Sequence, residues 1–128
     1  MVLLLGALYF IFGVAFATLA GGSASNAARV TWNRLGFLIS AVAFTLHIAY
    51  EHFRLRSSAL TTAWHVSMAV ALGAFALAAK ANVHGYRTGS GNTQLLAFAL
   101  VAWPLITSVP AFAVALMTAA VLGIRRRK

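Results

Sequence analysis

The sequence predicts an all-α integral membrane protein, a bundle of four transmembrane helices whose fourth helix is long and kinked at prolines. Hydrophobic residues make up 62% of its 128 residues and charged residues only 9%. A soluble domain of this size carries close to a quarter charged residues, which it needs to cover its surface with polar groups. Here the charges lie at the ends of four long apolar stretches and in the links between them. That distribution is typical of helices whose outer surface is covered by lipid.

The first predicted span covers residues 2–20, which are apolar apart from Tyr9 and Thr18. At about 1.5 Å per residue, this length just crosses a ~30 Å hydrocarbon core. No basic residue precedes the apolar run, so we interpret it as a retained helix and not as a cleaved signal peptide. Gly6 and Gly13 are seven residues apart and share one helix face, which predicts close contact with another helix.

The second and third predicted spans cover residues 35–53 and 60–79, and a short polar turn separates them. A small, polar break at 21–34 precedes the second span, and its Trp32 suits an anchor at the membrane interface. The segment 80–93 is rich in Gly, Asn and Ser and predicts the longest loop of the chain.

The fourth apolar stretch covers residues 95–124, too long for one straight crossing, since thirty residues reach about 45 Å against a ~30 Å core. Pro104 and Pro110 lie inside it. Each lacks a backbone N–H and crowds the carbonyl four residues earlier, which predicts a kinked or tilted helix. Residues 1–128 therefore form a single transmembrane domain.

The basic residues predict how the protein lies in the membrane. Four spans place both termini on one side, with six Lys and Arg residues on that side and four on the other. The positive-inside rule then favours cytoplasmic termini. The net charge of +9 fits contact with anionic lipid headgroups, and no aromatic–basic motif accompanies it that would indicate nucleic acid. The predicted headgroup contacts are Arg29, Arg34, Arg54, Arg56, Arg125, Arg126, Arg127 and Lys128.

Polar residues converge at the turn between the second and third spans. Antiparallel helices joined near Arg56 bring residues to equal depth when their numbers sum to about 112. His47 and His65 satisfy this relation, as do Glu51 and Thr61. We therefore predict a polar intramembrane seam, which includes Arg54 as a partner of Glu51. Its members are His47, Glu51, Arg54, Thr61 and His65.

Three interpretations of this seam are open. In the first, it is a structural network, in which His47 and Arg54 pair with Glu51 and His65 pairs with a threonine hydroxyl. In the second, it is a proton- or ion-handling site, in which Glu51 and His47 titrate during transport. Or it is a metal or haem site, because two imidazoles and a carboxylate form a familiar ligand set for iron or zinc. Helices held about 8–10 Å apart leave little room for a porphyrin between them.

The remaining histidines, His52 and His84, are predicted to be solvated, because one ends the second span and the other lies in the predicted loop. The absence of cysteine excludes thiolate metal ligands and disulfides.

The function favoured by these observations is non-enzymatic, since no nucleophile–base arrangement and no soluble domain is present. We expect a small membrane protein that works by helix packing, as an accessory subunit of a larger complex or as a homo-oligomer, without a cofactor. The alternative is a proton- or ion-coupled small transporter or channel that uses Glu51 and His47. A third possibility is a metal- or haem-binding redox subunit that uses His47 and His65.

Overall fold

The computed structural model describes residues 1–89 and 91–125, and it contains four long helices. These are α1 (Val2–Gly21), α2 (Asn26–Ala49), α3 (Ala59–Thr88) and α4 (Thr93–Arg125), and a π-helical turn at Tyr50–Arg54 continues α2. All four are long and apolar enough to cross a membrane. The predicted all-α bundle of four transmembrane helices is confirmed.

Helix α3 lies at the centre of the bundle. It packs most extensively against α4 and next against α1, whereas α2 packs mainly against α1. α2 meets α3 and α4 at its C-terminal end, where Ile48 forms a buried cluster with Ala63, Val66 and Ala115. The short turn between α2 and α3 therefore does not make them close neighbours along their length.

Glycines explain why α1 lies against α3. A Cβ atom on Gly73 would lie 2.8 Å from the Cβ of Tyr9, and one on Gly6 would lie 2.9 Å from the Cβ of Leu72. Gly13 likewise faces an α3 side chain. Small residues let transmembrane helices approach closely and gain van der Waals contact. Here the glycines allow this close approach between α1 and α3. The predicted close helix contact at Gly6 and Gly13 is confirmed.

The predicted break at 21–34 is longer than the real one. Helix α2 already begins at Asn26, and the Oγ atom of Ser25 accepts a hydrogen bond from the Ala28 N–H at 3.1 Å. Ser is a favoured residue for capping the first turn of a helix. The prediction failed because hydropathy marks the part of a helix that lies in lipid, and a helix can begin outside it.

The predicted loop at 80–93 is wrong for the same reason. Helix α3 continues to Thr88 and ends at Gly89, which adopts a left-handed conformation with φ +63°. The Asn82 side chain donates a hydrogen bond to the Leu96 carbonyl at 2.6 Å and so links this polar extension to α4.

Helix α4 is continuous from Thr93 to Arg125 and contains both prolines. Each proline removes one backbone hydrogen bond from the helix. Thr107, between the two, donates its hydroxyl to the Trp103 carbonyl at 2.9 Å. The hydroxyl of Thr107 is therefore satisfied by the backbone of its own helix.

Candidate functional site

The backbone around Glu51 is irregular. Glu51 lies in the π-helical turn, and the Leu55 N–H closes this turn by donating to the Tyr50 carbonyl at 3.2 Å. Arg56 then adopts φ +54°, an uncommon conformation for a residue other than glycine. The Ser57 N–H donates to the Glu51 carbonyl at 3.1 Å. Single π-helical turns occur frequently at functional sites, so this segment is a candidate for one.

The carboxylate of Glu51 is fully buried and has two hydrogen-bond partners. The Ser57 hydroxyl donates to Oε2 at 2.9 Å, and Nδ1 of His65 lies 3.0 Å from Oε1. The Glu51 side chain is 0% exposed, whereas the His65 side chain is 43% exposed. The histidine therefore connects the only carboxylate side chain of the protein to the surroundings of the bundle.

His47 is the second histidine near the Glu51 carboxylate. Its Nε2 atom is 3.9 Å from Oε1 of Glu51, beyond hydrogen-bond distance, and its side chain is fully buried. Within the described residues, neither ring nitrogen of His47 has a hydrogen-bond partner, and the Tyr9 hydroxyl also has none. The ring centroids of Tyr9 and His47 are 6.5 Å apart. Tyr9 neighbours His47, and both histidines neighbour Glu51. We call these four side chains the Glu51 cluster: Tyr9, His47, Glu51 and His65.

No permanent cation neutralises Glu51 in the part of the chain that the structure describes. Within 4.0 Å of the Glu51 carboxylate oxygens, the basic nitrogens found there belong to two histidines, His47 and His65. Arg54, predicted to pair with Glu51, is exposed. Among the described residues, the groups nearest to the Glu51 carboxylate that can carry a positive charge are therefore the two histidines.

The structure brings three of the five predicted seam residues together and leaves two outside. His47, Glu51 and His65 lie in the Glu51 cluster. Arg54 and Thr61 do not, since Thr61 is exposed and its N–H donates to the capping hydroxyl of Ser58 at 3.1 Å. The fully buried threonine of this helix turn is Thr62, whose hydroxyl has no partner among the described residues.

His52 corrects another prediction. It is buried, not solvated, and its ring packs edge-on against Phe53 at a centroid distance of 5.0 Å. Ala119 and Gly123 of α4 line the same pocket as His52. The sequence did not reveal this because it carries no signal that the end of α4 covers the turn after α2. His84 is exposed, as predicted.

The metal interpretation receives no support from the geometry. Across residues 1–89 and 91–125, no group of three or more His, Cys, Asp or Glu side chains is arranged to hold a metal ion. Of the predicted headgroup contacts, Arg29, Arg34, Arg54 and Arg56 are exposed. The Arg125 side chain and residues 126–128 lie outside the described residues.

Tyr9 is the residue of the Glu51 cluster that sequence reasoning missed. Its helix carries no charge, so it showed no pattern of ionisable residues. The available signal was its position three residues after Gly6 and four before Gly13, on the face that approaches α3.

Comparison of the chain with protein-family models, with curated proteins and with solved structures gives no match.

Proposed function

We propose that this chain handles protons within the membrane, as a small proton-coupled transporter or channel in which Glu51 exchanges the proton. The observation that carries the proposal is a fully buried carboxylate whose nearest charge partner is a histidine. An arginine or lysine partner would stay charged and hold Glu51 ionised. A histidine gains or loses its charge near neutral pH, so the Glu51–His65 pair can hold one proton or two.

The arrangement of side chains supports an exchange route. The Glu51 and His47 side chains are fully buried, His65 is partly exposed, and both histidines approach the same carboxylate oxygen, Oε1 of Glu51. A shift of less than about 1 Å would bring His47 Nε2 from 3.9 Å to hydrogen-bond distance of Glu51. Ionisable groups inside a membrane protein are costly, which makes such a route a functional hypothesis by default.

The helices packed around the cluster bring few other ionisable groups to it. α2 contributes His47, α3 contributes His65, and α1 contributes Tyr9 beyond His47. α4 has no ionisable side chain between Thr93 and Ile124. The charge of the cluster therefore depends on the protons held by Glu51 and the two histidines.

The packing hypothesis, an accessory subunit or a homo-oligomer, stays a prediction. It rests mainly on the absence of an enzymatic arrangement, and in addition on small residues that could contact a partner. A side chain at each of Gly6, Gly13, Gly36 and Gly73 would meet this chain's own side chains, within 3 Å at the closest atom. These four glycines are used for packing within one chain.

Infrared spectroscopy tests the proposal directly. In reconstituted protein we expect a carboxylic acid C=O band that appears on acidification, when Glu51 takes up a proton. Glu51→Gln should remove this band, since Glu51 is the only carboxyl side chain. In liposomes, the same substitution should reduce flux driven by a pH gradient at least about tenfold.

His84→Gln is the matched control, because His84 is exposed on α3 and lies outside the cluster. It should leave both the band and the flux unchanged. A carboxylic acid band that Glu51→Gln does not remove, or flux that survives this substitution, would contradict the proposal.

We also propose that both termini, and with them the Glu51 end of the bundle, face the cytoplasm. Met1 lines a groove with Tyr50, and Ser57 lines a pocket with Ile124, so these positions lie at one end of the bundle. Reporter domains fused at Ser57 and at the C-terminus should report the cytoplasm, and those at 22 and 89 the opposite side. Equal signals from the Ser57 and 89 fusions would rule this topology out.

A further inference from the structure

The turn between α2 and α3 carries two arginines on the outside of the bundle. Arg54 and Arg56 are both exposed. The only carboxylate side chain of the protein, that of Glu51, is fully buried, and its oxygens lie within hydrogen-bond distance of Ser57 and His65. Among the described residues, neither arginine forms an ion pair. The charges of both arginines are therefore available to an anion from outside the chain.

The backbone at Arg56 indicates that its side chain makes a favourable interaction of its own. With φ +54°, Arg56 lies in the left-handed region, where a side chain crowds the backbone and glycine is the favoured residue. A residue other than glycine keeps such a conformation only where other interactions hold it, and these positions are frequent where ligands bind. A contact of the Arg56 guanidinium with a bound anion would offset this strain.

Helix α3 begins at the same turn. It starts at Ala59, and the Oγ atom of Ser58 accepts a hydrogen bond from the Thr61 N–H at 3.1 Å. The N–H groups of the residues before Thr61 have no acceptor within the helix, and they lie at the positive end of the helix dipole. The start of α3 therefore adds to the attraction for an anion that the two arginines create.

A pocket of about 360 Å³ lies beside this turn. Residues 57–59 form one side, and the end of α4, with Gly123 and Ile124, forms the other. A Cβ atom on Gly123 would meet nothing within 4 Å, so there is room at this point. His52 also lines the pocket; it is 7% exposed, and neither ring nitrogen has a partner in the described part of the chain. The residues that line the pocket include no carboxylate.

The level of the pocket in the membrane indicates which anion reaches it. It lies where α3 begins and α4 ends, so it is at the boundary between the hydrocarbon core and the lipid headgroups. The phosphates of phospholipids lie at this level, and anionic lipids attract basic residues there. The side formed by α4 is apolar, which suits the glycerol and the first acyl carbons of a lipid. A zwitterionic lipid would bring an ammonium group close to the arginines, whereas an anionic lipid brings only negative charge.

We propose that this end of the bundle is a binding site for one anionic phospholipid. Its phosphate is held by Arg54, Arg56 and the start of α3, and its glycerol lies in the pocket beside α4. The Glu51 carboxylate does not line this pocket, so the site stands independently of the proton-handling proposal.

Lipid titration of the full chain in dodecylmaltoside micelles tests the site. Dioleoyl phosphatidylglycerol should raise the Tm and the increase should saturate, because a ligand that binds only the folded state stabilises it. Native mass spectrometry should show one molecule of this lipid retained. Dioleoyl phosphatidylcholine should give neither result, and inorganic phosphate at the same concentration should leave the Tm unchanged.

Arg54→Gln and Arg56→Gln should each weaken binding of phosphatidylglycerol about fivefold, which corresponds to about 1 kcal/mol for one cation at a membrane surface. Arg56→Gly should weaken binding by the same factor but leave the lipid-free protein about as stable as the wild type, because glycine accepts the left-handed backbone. A purely structural Arg56 would not separate these two readouts. Gly123→Leu should fill the pocket and abolish the increase in Tm. Arg87→Gln is the matched control, since Arg87 is an exposed arginine at the other end of α3 and should have no effect.

Three results would overturn the proposal. Equal increases in Tm with phosphatidylcholine would mean that the site does not select a negative headgroup. A loss of affinity in Arg87→Gln as large as that in Arg56→Gln would mean that the lipid responds only to the overall positive charge. Inorganic phosphate that raises the Tm and displaces the lipid would identify a site for a free anion. Glu51→Gln should leave lipid binding intact, so a failure of this site and a failure of the proton-handling proposal are distinguishable.

Discussion

Replacing His65 by leucine is expected to lower the free energy of unfolding by about 2–4 kcal/mol. His65 Nδ1 lies 3.0 Å from a Glu51 carboxylate that is 0% exposed. Removing one partner of a buried pair leaves the other charge without compensation, which is strongly destabilising. The loss stays below the upper limit for such pairs because Ser57 keeps its hydrogen bond to Glu51. Chemical or thermal unfolding in detergent micelles measures the effect.

Replacing the other partner, Glu51, should lower the free energy of unfolding by less, so the two substitutions together test the pair. Glu51→Leu leaves a His65 side chain that is 43% exposed and can find polar partners at the membrane surface, so we expect a loss of about 1 kcal/mol. The double variant should be about as stable as Glu51→Leu alone, which corresponds to a coupling of about 2–4 kcal/mol. His84→Leu, at an exposed position of the same helix, should be nearly neutral.

Additive effects of the two substitutions would mean that Glu51 and His65 do not form the pair described here. A His65→Leu variant as stable as the wild type would lead to the same conclusion.

Replacing Gly73 by alanine is expected to lower the free energy of unfolding by about 1–3 kcal/mol, the usual cost of overpacking a closely packed site. The added methyl group would lie 2.8 Å from the Tyr9 Cβ and 3.2 Å from the Gly6 carbonyl oxygen. Neither is the flexible end of a side chain, so α1 must move away from α3. Because α1 holds α2 in the bundle, the loss should appear as a lower Tm for the whole protein.

Gly123→Ala is the matched control, because a Cβ there meets nothing within 4 Å. Alanine is the better helix former, so this variant should be unchanged or slightly more stable. If Gly73→Ala behaves like Gly123→Ala, the close contact between α1 and α3 is not present in the membrane.

Part of the Glu51 cluster could be predicted from residue spacing. His47 and Glu51 are four apart on one helix, and the short turn that follows brings the start of α3 back to their depth. Spacing could not distinguish Thr61 from Thr62, because adjacent residues differ by about 100° around a helix and a small rotation of α3 decides which one is buried. Nor could it predict the π-helical turn, which changes the direction of Glu51, His52 and Arg54.

By itself, the sequence determined the number of membrane-spanning helices and their apolar cores, because hydrocarbon admits little else than long uncharged helices with internally satisfied backbones. It also determined that only Glu51 can contribute a carboxylate side chain. The tertiary structure decided which helices are neighbours. In lipid no hydrophobic force favours one helix pair over another, so the pairing of helices depends on local shape. Gly6 and Gly73 let α1 and α3 approach closely, and these two helices are therefore neighbours. The position of α2 follows from that pairing, and with it the partnership of His65 with Glu51.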